Sequence, residues 1–415
     1  IKETLRHLKD GKPLGMFPAG EVSTYKDGKL MVDKPWEEGA LKVIRKAQVP
    51  VVPIYFHAKN SKLFYFLSKI NDTLRTAKLP SELLTQKKRV IKVRIGKPIS
   101  VAEQNEYESI EEYSEFLRKK TYMLANPFEK DNNFLNTNPL KGHKSPKKIV
   151  TPASSEKMIC EVENLRTLDC RLLQSKNYEV FFAKAKDIPN ILHEIGRLRE
   201  ITFREVGEGT NESIDLDKYD QYYRHLFLWD DETNKIAGAY RMGLGCEIYP
   251  KYGMDGFYLN GLFRFEPELH EMLHKSIEMG RAFIIKEYQQ KPMPLFLLWR
   301  GIIHTTLHYP EHKYLLGGVS ISNQFSDFSK SLMIEFMKSH YYDPYIAQYV
   351  HPKKEYKVKL KDADKDFVFN ETDADLNKFD KIIDELEPGV LRLPVLIKKY
   401  IKQNARLVAF NVDPL

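Results

Sequence analysis

The chain has 415 residues, 42 % of them apolar and 29 % charged, which supports buried cores in about two or three domains and excludes a disordered chain. Lys and Arg number 65 against 57 Asp and Glu, a net charge of +8 that suits an acidic partner, such as an anionic bilayer or an acidic carrier protein, without calling for nucleic acid. No apolar run approaches the ~18 residues of a membrane span. Cys160, Cys170 and Cys246 are too few for a disulfide framework and lack zinc spacing, so a reducing compartment is expected. The chain opens on Ile1 and stops soon after a strand-like run, Leu407–Phe410, so both ends read as cut.

In chain order, Ile1–Lys9 reads as a helix and Leu14–Pro18 as a short buried strand. Ala40, Val43, Ile44 and Ala47 fall at helical spacing, and the β-branched run Val49–Phe56, with Pro50 and Pro53, reads as an edge or irregular strand. Ile91, Val93 and Ile95 alternate with basic residues as a half-buried strand; Ile110, Tyr113 and Leu117 mark a helix. Residues 127–155 are rich in Asn, Lys, Pro and Ser and read as a linker between domains at 1–126 and 156–415. The lysines at 141–148 are either a solvated face of that linker or a contact with anionic lipid.

Beyond the linker, helices are expected at Met158–Leu173, Ile188–Phe203, Pro294–His308 and Phe325–His340. Strands are expected at Tyr178–Ala183, Arg224–Trp229, Lys235–Met242 and Tyr314–Ile321, while Ser276–Ile285 fits period 2 but is long enough for a helix. Both halves are therefore of the α/β class.

Three blocks in the first half stand in a telling order. Phe17-Pro18-Ala19-Gly20-Glu21-Val22-Ser23 is a turn that brings backbone close to a ligand, with Ser23 and nearby amides able to hold a phosphate or ester oxygen; a plain strand-to-loop turn is the bland alternative. Val49-Pro50-Val51-Val52-Pro53-Ile54 and Val93-Arg94-Ile95-Gly96-Lys97-Pro98-Ile99 follow. Over roughly residues 5–124 this order resembles the glycerolipid acyltransferases, with their F-P-E-G-x-x-S, V-P-x-x-P-V and V-x-I-G-x-P-I blocks. The resemblance implies acceptor-binding roles for Phe17, Pro18, Gly20, Glu21 and Ser23. Ala19 replaces the acidic residue of the first block, which suits a lipid hydroxyl acceptor lacking the glycerol phosphate. The family's catalytic H-x4-D pair has no counterpart ahead of Phe17, where His7 precedes Asp10 by three, so these residues are expected to lack O-acylation.

The second half concentrates charge. Arg197, Arg199, Phe203 and Arg204 lie on one expected helix, followed by Asp215, Asp217, Tyr219 and Asp220, then Tyr240-Arg241 and Glu278-Met279-Gly280-Arg281. Beside apolar strands this is either a structural ion-pair web or a set of pairs that positions an amine and a thioester, since unpaired buried charge is costly. R-x-x-x-F (Arg199 to Phe203), D-x-Y-D (Asp217 to Asp220), Y-R and E-x-G-R resemble the acyl-homoserine-lactone synthases. The run from Leu198 to Thr210, and the tail from Arg392 to Tyr400, are closer to the N-acyltransferases of aminolipid synthesis, also labelled hemolysins. Both groups imply a GNAT-like fold over about residues 156–415, and an acyl-carrier-protein or acyl-coenzyme A thioester as co-substrate, with no cofactor. The two halves together resemble bifunctional aminolipid synthases, whose C-terminal domain N-acylates an amino acid (ornithine, glycine or similar) and whose N-terminal domain then O-acylates the lyso-lipid.

What this resemblance implies for chemistry is specific. The attacking amine must be neutral, and Glu278 is the expected base, through a water. Asp217 and Asp220 are expected to bind the ammonium or orient Arg199 and Arg241; Arg281 holds the amino-acid carboxylate or locks Glu278. Amides of the Gly280 strand are candidates for the oxyanion, and the pantetheine arm is expected beside Gln289–Pro294, near Trp299, Arg300 and Gly301; Trp299 and Ile302 also read as core. His304, His308 and His312 share fourfold spacing, but Pro310 interrupts the last pair and no metal is expected. A cytoplasmic enzyme, peripheral on the inner face of the membrane and served by an acyl carrier protein, is the reading; an autoinducer-type N-acyltransferase that releases a soluble lactone and a non-catalytic, hemolysin-like membrane-active protein are the alternatives.

Overall fold

Pro13 and Pro18 flank a segment that forms no strand: each lacks a ladder donor, and residues 12–17 run in irregular backbone into a turn at 18–20. The computed structural model describes residues 2–26, 30–67, 72–85, 90–125, 146–360, 375–387 and 392–413. Most of the expected linker, residues 127–145, lies outside them. The chain divides into two compact units, Ile1–Thr137 with Asp366–Arg392, and Asn138–Lys365 with Leu393–Leu415.

In the first unit, β1 (Thr24–Lys26) pairs with β2 (Leu30–Val32) and β3 (Ile54–His57) with β4 (Lys92–Ile95), both antiparallel. The Glu38–Ala47 helix buries Leu41, and the Ile110–Met123 helix buries Tyr113, Phe116 and Leu117. The latter starts at a capping box, Ser109 with Glu112, which satisfies two donors at its N-terminus. A distant segment completes this unit. The Leu376–Leu386 helix buries Phe379, Ile382, Ile383 and Leu386. Arg94 donates to the Glu385 carbonyl at 3.2 Å, and Lys97 pairs with Asp384. The second unit is thus not the continuous span 156–415 expected, because apolar positions 379, 382, 383 and 386 find their burial with the first.

The second unit is built on a six-stranded sheet in the order β11–β10–β8–β7–β6–β5. Its strands are β5 (Arg171–Ser175), β6 (Tyr178–Lys184), β7 (Arg224–Asp230), β8 (Lys235–Leu244), β10 (Ser276–Ile284) and β11 (Tyr314–Gly317); β9 (Phe263–Phe265) pairs apart with β12 (Val350–Pro352). All neighbours in the large sheet are antiparallel except β10 and β11. Period-2 alternation splits the core into two layers. Val180, Phe182, Leu226 and Leu228 pack with Leu297, Leu298, Trp299 and Ile302 of the Pro292–His308 helix. Phe181, Ala183, Phe227 and Trp229 pack with Ile191, Leu192 and Ile195 of the Pro189–Glu205 helix and with Met158 and Val162 of the Ser155–Thr167 helix.

Three boundaries move. The first of these helices ends at Thr167, not Leu173, because Asp169 turns left-handed (φ +53°) and Arg171–Ser175 joins the sheet. The ambiguous 276–285 stretch is strand β10, flanked on both sides by partners that take its ladder. The strand expected at Tyr314–Ile321 ends at Gly317.

Candidate active site

Three arginines and three aspartates interlock beside β8 and β10. Arg199, almost fully buried, donates from Nε to Asp215 at 2.9 Å, from its Nη atoms to Asp220 at 3.1 and 2.9 Å, and to the Asp215 carbonyl. Arg241, 2 % exposed, donates to Asp217 at 2.7 Å and Asp220 at 3.1 Å. Arg281 lies 3.5 Å from Asp215 and 3.8 Å from Asp217. Burial alone would raise the Asp220 carboxyl, but Arg199 and Arg241 outweigh it and hold the group far below the usual carboxylate range. His225 Nε2–H donates to the Asp220 carbonyl at 3.0 Å; burial pushes its pKa down to about 4, so it stays neutral in the web. The spacing of Asp217 and Asp220 has a local cause: Asp217 caps a short 3-10 turn by accepting from the Tyr219 and Asp220 amides, and Asp220 accepts from the Asp217 amide at 2.8 Å.

Glu278 sits apart from this balance. It is buried on β10, and among the described residues no cation stands within salt-bridge reach of it. Its carboxylate accepts from the Leu259 amide at 2.7 Å, the Tyr258 amide at 3.1 Å and the Tyr223 hydroxyl. Burial raises its pKa, and those three donors, Tyr223 first, offset part of the rise. Glu278 thereby fixes Tyr258, whose ring lies 5.3 Å from the Arg241 guanidinium and 5.5 Å from that of Arg281. Expected as a base acting through a water, Glu278 is enclosed, with the Tyr223 hydroxyl and the 258–259 amides on its carboxylate.

The strand bends at the decisive place. The β8–β10 register slips between Gly280 and Phe283, and Arg281 on that bulge has φ +51°, left-handed backbone that costs a non-glycine residue about 1–2 kcal/mol. Such strain collects at sites of function. The Arg281 Nε is buried and has no acceptor. Asp217, with 28 % of its side chain exposed, is the open carboxylate beside it.

A cavity of about 510 Å³ lies between Gln289–Pro292, the face of the next helix bearing Phe296, Trp299, Arg300 and Ile303, and Lys399 and Gln403. It occupies the stretch expected for the pantetheine arm. Gly301 does not face it: a Cβ there would lie 2.7 Å from Val180 and 3.0 Å from Leu226, so this glycine lets the helix close on the sheet. Phe203, which with Arg199 and Arg241 was expected to contact substrate, is partly buried and packs against the core beside its own helix.

In the first unit the 17–23 turn forms as a unit. The Gly20 amide donates to the Phe17 carbonyl at 3.1 Å, with Gly20 at φ +64°. Phe17 is largely exposed, 6.2 Å from the Phe56 ring. Glu21 takes Lys34 at 2.6 Å and Arg75 at 2.8 Å, and the Lys34 hydrogen bond, followed by that from Arg75, holds its carboxyl low. Ser23 donates to Asp33. Pro18 accepts from the Glu37 amide at 2.8 Å. The five residues are brought together, with Glu21 and Ser23 already partnered inside the protein.

Metal-ligating types meet at one place among the described residues, Cys246, Glu311 and His312, with ligand atoms within 4.8 Å of one another. His312 Nε2 accepts from the Cys246 amide at 3.4 Å, which leaves the proton on Nδ1, 3.5 Å from Glu311. That Nδ1 is buried and has no hydrogen-bond partner. His304 and His308 are not part of the group.

Sequence reasoning missed Tyr223, Tyr258 and the 258–259 amides, which carry no motif; it singled out Asp217 and Asp220 but not the cap that orders them. Residues 198–299 match the family described as acetyltransferase (GNAT) domain, and residues 5–131 the family described as acyltransferase. A glycine N(alpha)-acyltransferase of Bacteroides thetaiotaomicron is 32 % identical over 206 residues, 47 % of this chain and 60 % of that protein. One from Phocaeicola vulgatus is also 32 % identical over 206 residues, covering 47 % of this chain and 63 % of its own length. The chain therefore spans less than two thirds of the relatives it matches. No solved structure matches it. The chain is an α/β protein with an acyltransferase-type and a GNAT-type domain, and these likenesses support an acyl-transferring enzyme.

Proposed function

We propose that the second unit transfers an acyl chain from a carrier thioester to the α-amine of glycine or a similarly small amino acid, the first step of aminolipid synthesis. The amine nitrogen attacks the thioester carbonyl, the C–N bond forms, the amine gives up a proton to the base, the C–S bond breaks, and the base returns that proton to the sulfur, which leaves as the thiol. The observation that carries the reading is Arg281: a strained residue on the β10 bulge, flanked by Asp215 and Asp217, with a buried Nε lacking an acceptor. That donor suits the acceptor's carboxylate, and the partly exposed Asp217 suits its ammonium. Glu278, through the Tyr223 hydroxyl, takes the proton released; Asp220 and Arg199 hold Asp217 and Arg241 in place.

The 510 Å³ cavity, with Lys291, Arg300 and Lys399 on its walls, suits the phosphopantetheine arm of the donor, a 3-hydroxyacyl carrier protein. The names of the relatives favour glycine over ornithine as acceptor. O-acylation of the resulting lyso-lipid is the step that the acyltransferase-type domain suggests; without an H-x4-D pair ahead of Phe17, no ester is expected from these residues alone.

The test is the full chain with glycine and a 3-hydroxyacyl carrier protein, with N-acylglycine read by mass spectrometry. Arg281→Gln should raise KM for glycine at least tenfold while the melting temperature holds. Failure to acylate glycine, serine and ornithine alike overturns the reading.

A further inference from the structure

The Pro292–His308 helix is apolar on both sides. Its inner face buries Leu297, Leu298, Trp299 and Ile302, as a core helix should. Its outer face carries Met293, Phe296, Ile303 and Leu307 at 36 %, 55 %, 55 % and 69 % exposure. Their spacing of three, seven and four places them, with exposed Arg300 between, on one ridge about 21 Å long. A helix apolar all round is normally covered.

The charge beside the ridge is of one sign. Lys291 stands at its start, and Lys399 with Lys402 is exposed on the Val395–Lys402 helix, whose Tyr400 ring meets Trp299 at 5.3 Å. Val395, 59 % exposed, adds to the apolar surface. The two helices contain no carboxylate, and nearby Glu287 is paired with Lys235 at 3.1 Å. Among the described residues, Arg300, Lys399 and Lys402 have no acidic partner.

We propose that this face docks on an anionic lipid bilayer. Met293 and Leu307 flank the cavity whose wall carries Phe296 and Ile303, and this apolar face sinks into the acyl boundary while Lys402 and the cations at the cavity rim meet lipid phosphates. The pattern is that of an interfacial helix anchored by its globular unit, in a chain whose described helices include none long and apolar enough to cross a membrane. The inference does not rest on the proposed reaction. A chain that acylates glycine yet stays off vesicles sinks this inference alone; a chain that binds vesicles but transfers nothing sinks only the other.

The experiment is co-sedimentation of the full chain with phosphatidylcholine vesicles, with and without about one third phosphatidylglycerol. Met293→Ser with Leu307→Ser removes apolar ridge residues that do not line the cavity; Lys402→Glu reverses one cation; Tyr345→Ser, at an exposed tyrosine on another helix, is the control. Circular dichroism checks that each variant folds. The parent should bind anionic vesicles at least tenfold more tightly than neutral ones. The double variant should lose at least tenfold, Lys402→Glu about threefold on anionic vesicles only, and the control nothing. A parent that stays in the supernatant, or a folded double variant that binds like the parent, overturns the proposal. So does a double variant that keeps vesicle binding but loses binding of an acyl carrier protein, which would make the ridge a protein-docking face.

Discussion

Replacing Glu278 by Gln is a narrow change because Tyr223 can reverse its hydrogen bond. With the amide nitrogen at the Oε2 position, the tyrosine oxygen accepts, the Tyr258 amide retains that oxygen at 3.0 Å, and the Leu259 amide keeps Oε1. Glu278→Gln should therefore melt within a few degrees of the parent yet lose roughly 10²–10⁴-fold in N-acylation, the usual worth of a general base. Asp220→Ala should instead strand Arg199 and Arg241 and cost about 3–5 kcal/mol in a melting curve. A stable but inactive Asp220→Ala beside an unfolded Glu278→Gln would exchange the two roles. His225 supplies a pH test. Its folded pKa, about 4, is below the ordinary 6.5, so its stabilisation is complete above pH 6.5 and is lost as pH falls through 4. The loss is up to about 3 kcal/mol, and Glu278, whose pKa is raised, works in the opposite sense. Unfolding at several pH values, parent against His225→Asn, isolates the histidine; equal slopes between pH 6.5 and 4 would count against it.

At the scale of elements, glycines set how closely strands and helices approach. A Cβ on Gly238 would lie 2.6 Å from the Phe283 carbonyl oxygen, a backbone atom at the bulge of β10. Gly238→Ala should part β8 from β10 there, shift Arg281, and cost about 1–3 kcal/mol together with activity. Gly301→Ala meets only side chains, and the helix propensity it gains, about 1 kcal/mol, offsets part of the crowding. Its melting temperature should fall less than that of Gly238→Ala, and the reverse order would show that the bulge yields more easily than the core. The large strands were legible because Val180 to Ala183 and Leu226 to Trp229 are continuous apolar runs, covered on both faces by helices. The end of the first helix was not, since Asp169 looks like any polar residue until the sheet asks the chain to turn.

At the scale of the molecule, a net charge of +8 bears on which donor is used. An acidic carrier protein steered by this surface should lose several-fold in kcat/KM between low salt and about 0.5 M, where the screening length is under ~8 Å; acyl-coenzyme A should change less. Equal use of both donors with no salt effect on the carrier reaction would remove the carrier from the scheme. The first unit also depends on the far end of the chain, because Phe379, Ile382, Ile383 and Leu386 are buried within it.

Periodicity and composition determined the α/β class and most elements, since alternation and helical stripes are local properties of a chain that must bury one face. The spaced Arg and Asp blocks determined that a charge network would form, because buried ions need partners. Only the tertiary structure decided what each member touches. Glu278 is enclosed because Tyr223 and the 258–259 amides, 19 to 55 positions away, converge on it. Arg281 is left with a free donor because a register slip in β10 turns its backbone left-handed. The Leu376–Leu386 helix joins the first unit because contacts that far apart in sequence leave no local mark.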